Sequence, residues 1–242
     1  MFKEASRDDA DARQVEEFAK VPTSVIFKAI RREGEHELSR PFSALWWSGV
    51  AAGLAISASV LAKGFLASIL PNADWTPGVT NLGYTVGFLI VILGRMQLFT
   101  ENTITPILPL FLAPTRSNFA QTARLWGIVF AANMAGCLVA ALVLVHGRIL
   151  PAPRFDGVLS ISRHYAEATP IEHFAWGIPA GFLIAALVWI LPSSKGFEII
   201  SILLITYIIA ISGATHVIVD SVEIFLLVLS GNIGVLDGVG GR

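Results

Sequence analysis

Uncharged apolar runs about as long as a lipid bilayer is thick constrain this chain more than any other feature. Residues 42–62 and 125–145 contain no Asp, Glu, Lys or Arg, and a helix needs about 20 such residues to cross the hydrocarbon core. Comparable runs with few charges cover residues 79–99, 174–194 and 199–229. Only 14% of all residues are charged, against about 25% in soluble domains. The sequence therefore predicts an all-α integral membrane protein.

Two of these runs contain short polar interruptions. Residues 98–103 read LFTENT at the end of the second run, and residues 213–216 read GATH within the fifth. Backbone that leaves the helix at membrane depth cannot hydrogen-bond to lipid, so it is tolerated only inside protein or beside a water-filled cavity. Paired broken segments in the two halves of a membrane protein indicate a transport site. We therefore expect broken second and fifth spans around a pore.

The second interruption carries ionisable side chains. His216 can change its charge near neutral pH, and an ionisable residue inside a membrane indicates a functional site. A histidine hydrogen-bonded between helices for packing is the alternative. Asp220 lies four residues later, close enough on a helix to pair with His216. Glu223 follows on roughly the same face, where it either lines a pathway or approaches the outer interface.

The first interruption joins apolar side chains to a hydroxyl group. Leu98 and Phe99 are candidates for a hydrophobic constriction. The Thr100 hydroxyl can donate a hydrogen bond to a ligand or accept one from the histidine of the second interruption. Glu101 and Asn102 either support the pore loop or cap the half-helix that follows.

The sequence lacks the motifs of the common enzyme classes. It has no cluster of His, Cys, Asp and Glu with metal-ligand spacing, and no nucleophile elbow, phosphate loop or dinucleotide fingerprint. Cys137 is the only cysteine and lies in an apolar run, which excludes a disulfide framework or a thiolate metal site. No basic stripe indicates a nucleic-acid partner. We expect a non-enzymatic protein without cofactor or metal, whose partners are the lipid bilayer and a small anion or other small solute.

The distribution of charge predicts the orientation of the chain. Residues 1–40 form a polar N-terminal segment, and residues 41–242 form the transmembrane channel or transporter domain. Lys and Arg cluster before the first run, whereas the loop at 71–78 has none. Since positive charge marks the cytoplasmic side, we expect a cytoplasmic N-terminus, as a gating helix or a solvated amphipathic lead-in. The polar loop at 147–170 places three arginines on the opposite side, which counts against this orientation.

Three motifs together resemble the formate/nitrite transporter family. They are Gly94 followed by LFT at 98–100, ANMAG at 132–136, and SGATH at 212–216, in that order on the second, third and fifth runs. The resemblance extends from about residue 43 to residue 234. Within the family the sequence looks most like the divergent branch of inner-membrane proteins whose substrate is unassigned.

The resemblance implies an aquaporin-like protomer of six spans, built from two inverted repeats. It also implies assembly as a homopentamer in the inner (plasma) membrane, with a pore in each protomer that passes small monovalent anions such as formate or nitrite, with or without a proton. By position, Thr100 corresponds to the family's loop threonine and His216 to its central histidine. Leu98 and Phe99 correspond to residues of its hydrophobic constriction.

The chain departs from the family pattern around the pore. Positions that are glutamate, asparagine, an aromatic gate residue, lysine and asparagine in the family are here Thr215, Asp220, Ile209, Tyr165 and Gly181, respectively. Arg163 lies close to the lost lysine and can supply its charge. A lost lysine and an added carboxylate make a pore less favourable for anions. A neutral small-solute channel and a non-transporting membrane subunit or sensor therefore stay open as alternatives.

The family's sixth span is missing from the sequence. Residues 231–236 begin where it should start and are far shorter than the about 20 residues of a span. An incomplete repeat leaves polar pore backbone facing lipid, which is costly. We therefore expect a C-terminally incomplete domain and favour truncation of the sequence as its cause.

Overall fold

The computed structural model describes residues 21–163 and 168–234 of the 242-residue chain. The helices in these ranges are α1 (Thr23–Ser39), α2 (Phe42–Ile69), α3 (Thr76–Thr80), α4 (Thr85–Leu93), α5 (Ile107–Leu112), α6 (Arg116–His146), α7 (Ala152–Ser162), α8 (Pro170–Ile190), α9 (Glu198–Ile211) and α10 (Val217–Leu229), with 3₁₀ turns at Glu101–Thr103 and Leu191–Ser193. Four segments are long and apolar enough to cross a membrane, namely Phe42–Ile69, Thr76–Leu93, Arg116–His146 and Pro170–Ser193. The predicted all-α membrane architecture is confirmed.

The first break begins earlier than the predicted end of the second span, because α4 stops at Leu93. Gly94 follows as the C-cap, and Arg95 adopts a left-handed conformation with a φ of 50°. The amide of Met96 donates to the carbonyl of Val91 at 3.0 Å, a hydrogen bond typical of a Schellman helix end. The non-α-helical segment therefore extends from Gly94 to the start of α5.

The second break is shorter. It lies between Ile211, the end of α9, and Val217, the start of α10. Ser212 is the C-cap of α9, and Gly213 has a φ of 70°, which glycine adopts without steric cost. His216 is the N-cap of α10, so the predicted ionisable residue stands at the point where the helix resumes.

The prediction of a long polar loop at residues 147–170 is wrong for its middle part, where the structure has helix α7. Val158 of α7 is fully buried, and a Cβ at Gly64 of α2 would come within 2.6 Å of the Val158 side chain. Arg154 of α7 donates to the Ser68 hydroxyl of α2 at 2.6 Å. One of the three arginines assigned to a loop is therefore held against the helix bundle.

Helices α2 and α6 form the centre of the bundle and approach each other through glycines. A Cβ at Gly53 of α2 would collide with the backbone carbonyl of Asn133 on α6, and a Cβ at Gly136 of α6 would collide with the carbonyl of Val50. Small residues at a crossing allow two membrane helices to pack at short distance. This contact buries Asn133 completely and places it beside the first break.

Helix α1 lies against the first break. Arg95 Nη2 donates to Glu33 Oε1 of α1 at 2.9 Å. Gly34 of α1 packs so tightly on the carbonyl of Thr105 that a Cβ would collide with it. The described part of the polar N-terminal segment is therefore in contact with the chain that connects α4 to α5.

Several sequence predictions concern residues outside the described ranges. Residues 1–20 make up the first half of the predicted N-terminal segment, and Tyr165 lies in the gap at 164–167. Most of the segment where the sixth span was expected, residues 235–242, also lies outside. The division at residue 40, the cytoplasmic N-terminus and the incomplete C-terminus stay predictions.

Candidate functional site

The buried amide of Asn133 fixes the backbone of the first break. Its Oδ1 accepts a hydrogen bond from the backbone N–H of Phe99 at 2.8 Å. Its Nδ2 donates to the carbonyls of Gly49 and Gln97, both at 2.8 Å. One side chain therefore ties α2, α6 and the break together and supplies partners for backbone groups that have left the helix.

Further side chains supply hydrogen-bond partners to the rest of this segment. The backbone N–H of Gln97 donates to Ser48 Oγ of α2 at 3.1 Å. Asn102 Nδ2 donates to Gln97 Oε1 at 2.9 Å, and Trp126 Nε1 of α6 donates to the Asn102 carbonyl at 2.8 Å. The segment is thus held from two neighbouring helices and by its own amide side chains.

The idea that Glu101 or Asn102 caps the following half-helix is wrong. Both belong to the 3₁₀ turn Glu101–Thr103, and the N-cap of α5 is Pro106, which receives no side-chain hydrogen bond. Asn102 instead bonds within the break, as described above. Glu101 Oε1 is buried without a hydrogen-bond partner among the described residues. Whether these two side chains act in a pore loop stays a prediction.

The second break is attached to α8 through Thr215. Its hydroxyl donates to the carbonyl of His173 at 2.6 Å, and its backbone N–H donates to the carbonyl of Trp176 at 3.3 Å. A Cβ at Gly177 of α8 would lie 3.4 Å from Thr215 Oγ1, an ordinary van der Waals distance, so α8 is close to the break at this point. The residue that replaces the family's glutamate therefore has a clear anchoring contact.

A reciprocal cap starts α10. His216 Nδ1 accepts from the backbone N–H of Val219 at 3.4 Å, and Asp220 Oδ2 accepts from the backbone N–H of His216 at 2.8 Å. This arrangement is similar to a capping box. The predicted pairing of Asp220 with His216 is therefore made to the backbone of His216, and the imidazole Nε2 is left for another partner.

That partner comes from the first break. Thr100 Oγ1 and His216 Nε2 lie 2.8 Å apart, and both residues are buried. Because Nδ1 accepts a hydrogen bond, we assign the proton of the neutral imidazole to Nε2, which then donates to Thr100 Oγ1. The Thr100 hydroxyl proton is left free to donate to a third group. The edge of the His216 ring also contacts Phe88 of α4, with ring centroids 5.0 Å apart.

The three predicted constriction residues lie in one apolar core. Leu98 and Ile209 are fully buried, and Phe99 packs against the same cluster. The Phe99 ring meets Phe130 of α6 edge-on, with centroids 5.2 Å apart. These side chains belong to the same apolar cluster, and their role in gating stays a prediction.

Two residues near the site have structural features that the sequence did not indicate. Asn133 belongs to a motif, but only its three hydrogen bonds show that it holds the first break. The sequence signal for this role was a single amide side chain in an uncharged apolar run. Tyr84 of α4 was missed, and its hydroxyl is buried without a hydrogen-bond partner in the described part of the chain. Glu223, left open between pathway and interface, is 2% exposed.

Residues 24–240 match the formate/nitrite transporter family. The chain belongs to this family. It is 43% identical over 208 residues to "Inner membrane protein YfdC" of Escherichia coli (strain K12), covering 86% of this chain and 67% of that protein. It is 27% identical over 161 residues to "Formate channel FocA" of Haemophilus influenzae, covering 64% of this chain and 55% of that protein. The chain thus spans little more than half the length of the second relative.

Solved structures of this family share the fold. The chain superimposes on an "FNT family ion channel" with a TM-score of 0.69 and 16% identity, covering 84% of this chain and 81% of that one. It superimposes on a "Pentameric formate channel with formate bound" with a TM-score of 0.65 and 16% identity, covering 86% and 80%. The family resemblance found in the motifs is confirmed.

Proposed function

We propose that this family member is a channel or transporter for small monovalent anions of the formate and nitrite type, with a pore in each protomer. The observation that carries the proposal is the 2.8 Å hydrogen bond between Thr100 and His216, which joins the two breaks. Its relatives include a protein named as a formate channel and a structure with formate bound. These names support small monovalent anions as the substrate class.

The geometry suits an anion at the Thr100 hydroxyl. With its oxygen accepting from His216, Thr100 has a proton to donate to an anionic oxygen. Leu98 and Phe99, which directly precede Thr100, belong to the apolar core, and a narrow apolar passage excludes water. Burying an unpaired anion costs several kcal/mol, whereas a neutral acid avoids most of that cost. The permeant therefore crosses the apolar part as its protonated acid.

We further propose a homopentamer in the inner membrane. One superimposable structure is a pentamer, and one relative is named as an inner membrane protein. Large apolar side chains also cover the outer surface of α8, where Phe174 and Phe182 are each 73% exposed. Such a surface needs lipid or a neighbouring protomer to cover it.

The test of the anion site is flux into proteoliposomes. Thr100→Val keeps the side-chain shape but removes the hydroxyl, and His216→Ala removes its partner. Formate or nitrite flux should fall by about tenfold or more in each variant, which corresponds to about 1.4 kcal/mol of barrier. Thr100→Ser, which keeps the hydroxyl, is the matched control and should retain most of the flux. Unchanged flux in both of the first two variants would exclude this site.

A neutral small-solute channel is the second candidate. Gly181 stands where the family has an asparagine, and a Cβ there would meet no atom within 4 Å. This position therefore supplies no amide donor or acceptor to a solute. Swelling of proteoliposomes in glycerol, without formate flux, would favour this candidate. Absence of flux for all small solutes, with a co-purifying partner protein, would favour a non-transporting subunit.

A further inference from the structure

Besides Glu101 Oε1, three buried oxygen atoms near the site have no hydrogen-bond partner among the described residues. They are Tyr84 Oη, Asp220 Oδ1 and Glu223 Oε2. The three residues are 3%, 5% and 2% exposed, respectively. Buried polar atoms are normally paired, so a group of three unpaired ones requires an explanation.

The three atoms belong to one cluster beside His216. Asp220 and Glu223 are three residues apart on α10 and therefore share a face of the helix. Tyr84, the N-cap of α4, lies within electrostatic range of both carboxyl groups. The Tyr84 ring packs on Phe88, with centroids 5.2 Å apart, and Phe88 contacts the imidazole of His216. The cluster thus lies on the α10 side of the Thr100–His216 contact.

The charges around the cluster do not balance if both carboxyl groups are ionised. Lys63 of α2 interacts with both of them, yet no nitrogen–oxygen pair in the described part of the chain links it to either within 4.0 Å. Cys137 of α6, which donates to the Ile218 carbonyl of α10, carries no charge to offset them.

The charged groups of α7, which also packs on α10, do not supply the missing charge. Arg154 bonds to Ser68 Oγ, Arg163 points to Asn232, and Asp156 is exposed. Two ionised carboxylates would therefore leave a buried negative charge without a partner inside the membrane. That state costs several kcal/mol, whereas one added proton removes it and gives the carboxyl pair a donor.

We propose that Asp220 and Glu223 share one proton and deliver that proton to the permeant anion. The inference rests on the proposed anion transport. In the step, the carboxyl O–H bond breaks and an O–H bond forms on the anion, so that a neutral acid and a second carboxylate result. Bulk water on the α10 side then returns a proton to the pair. No electron moves and no other reactant is required.

Infrared difference spectroscopy of the purified full chain tests the shared proton without any permeant. The wild type should show the C=O band of a protonated carboxyl group at neutral pH. The buried carboxyl group of Glu101 also contributes to this band, so Glu101 is replaced by Gln in every sample. In that background, Glu223→Gln and Asp220→Asn should each lose the remaining band, because the single carboxylate no longer has a like charge beside it. Asp74→Asn, at an exposed loop position, is the matched control and should keep it. Elution as the wild-type oligomer shows that each variant has folded.

A second measurement tests the delivery of the proton. With formate as the probe, proton uptake per formate taken up by proteoliposomes should fall by about tenfold or more in Glu223→Gln, the loss expected for removal of a proton donor. A carboxyl band that persists in both variants overturns the shared proton. An unchanged proton-to-formate ratio overturns the delivery step. If the wild type transports no anion, the proposed function is overturned. That result is independent of the infrared band.

Discussion

The two breaks in this bundle are stabilised in different ways. The first, between α4 and α5, has its backbone held by side chains of α2 and α6, with Asn133 making three of the contacts. The second, between α9 and α10, is held by the reciprocal cap of His216 and Asp220 and by two hydrogen bonds from Thr215 to α8. Asp220 in that cap and Glu223, three residues further on, each have an unpaired carboxyl oxygen. The first break is thus supported mainly from neighbouring helices, whereas the second supplies part of its own support.

The lengths of the breaks explain part of this difference. The first leaves the α-helix from Gly94 to Pro106, so many of its backbone groups need partners. The second covers only the few residues between Ile211 and Val217. A short break needs fewer side chains for support, and its neighbours are free to carry ionisable groups. Removing support should therefore damage the first break far more than the second.

The largest effect is expected for Asn133→Leu. The substitution keeps the volume but leaves the N–H of Phe99 and the carbonyl of Gln97 without their partner. Each unpaired buried group costs about 1–3 kcal/mol, so the free energy of unfolding should fall by roughly 2–6 kcal/mol. Unfolding in detergent micelles by added denaturing detergent measures this. Gly127→Ala on the same helix, where a Cβ meets no atom within 4 Å, should leave it nearly unchanged.

If Asn133→Leu and its control had the same free energy of unfolding, the first break would not depend on the Asn133 side chain. The contrast between the two breaks would then be lost. The Thr100–His216 contact gives a second readout. Because Asn133 fixes the residue directly before Thr100, formate flux should fall along with stability.

Local sequence patterns predicted the helices and the positions of the breaks. Apolar runs and polar interruptions are properties of neighbouring residues, so no knowledge of packing is needed to read them. The early end of α4 was missed because Gly94 and Arg95 are followed by more apolar residues, although Arg95 adopts a left-handed φ. Helix α7 was missed because the three arginines of residues 147–170, of which α7 itself contains Arg154, made the segment resemble a loop, while Val158 and its neighbours pack against Gly64.

Site residues could be predicted from the sequence only where a single residue, by its type and its place in the chain, indicated a function. His216 and Thr100 stand out as polar residues in broken apolar runs, and the structure places them 2.8 Å apart. The role of Asn133 depends on the register of α6 against α2, which no local pattern contains. The same is true of Tyr84 and Glu223, since a glutamate in an apolar run is equally compatible with an interface and with a buried site. Contacts between distant residues decide these cases.

A smaller effect is expected where the bundle centre supports the first break indirectly. Gly53→Ala would place a Cβ against the backbone carbonyl of Asn133 and 3.0 Å from the amide nitrogen of Cys137. Overpacking of this kind costs about 1–3 kcal/mol, and backbone atoms cannot move aside as a side chain would. Gly181→Ala is the matched control, since its Cβ meets no atom within 4 Å. The control should gain up to about 1 kcal/mol from helix propensity.

Equal stability of Gly53→Ala and Gly181→Ala would show that α2 and α6 separate without cost. In that case Asn133 would hold the first break without help from the close helix crossing.

The smallest effect is expected at the second break, for Thr215→Val. The substitution removes the hydroxyl that donates to the His173 carbonyl at 2.6 Å. The backbone N–H of Thr215 still donates to Trp176, so the loss should be about 1 kcal/mol, measured by the same detergent unfolding. Thr215→Ser keeps the hydroxyl and should restore wild-type stability. A loss as large as that of Asn133→Leu would mean that the second break also depends on support from a neighbouring helix, because its own cap would then be insufficient to hold His216 against Thr100.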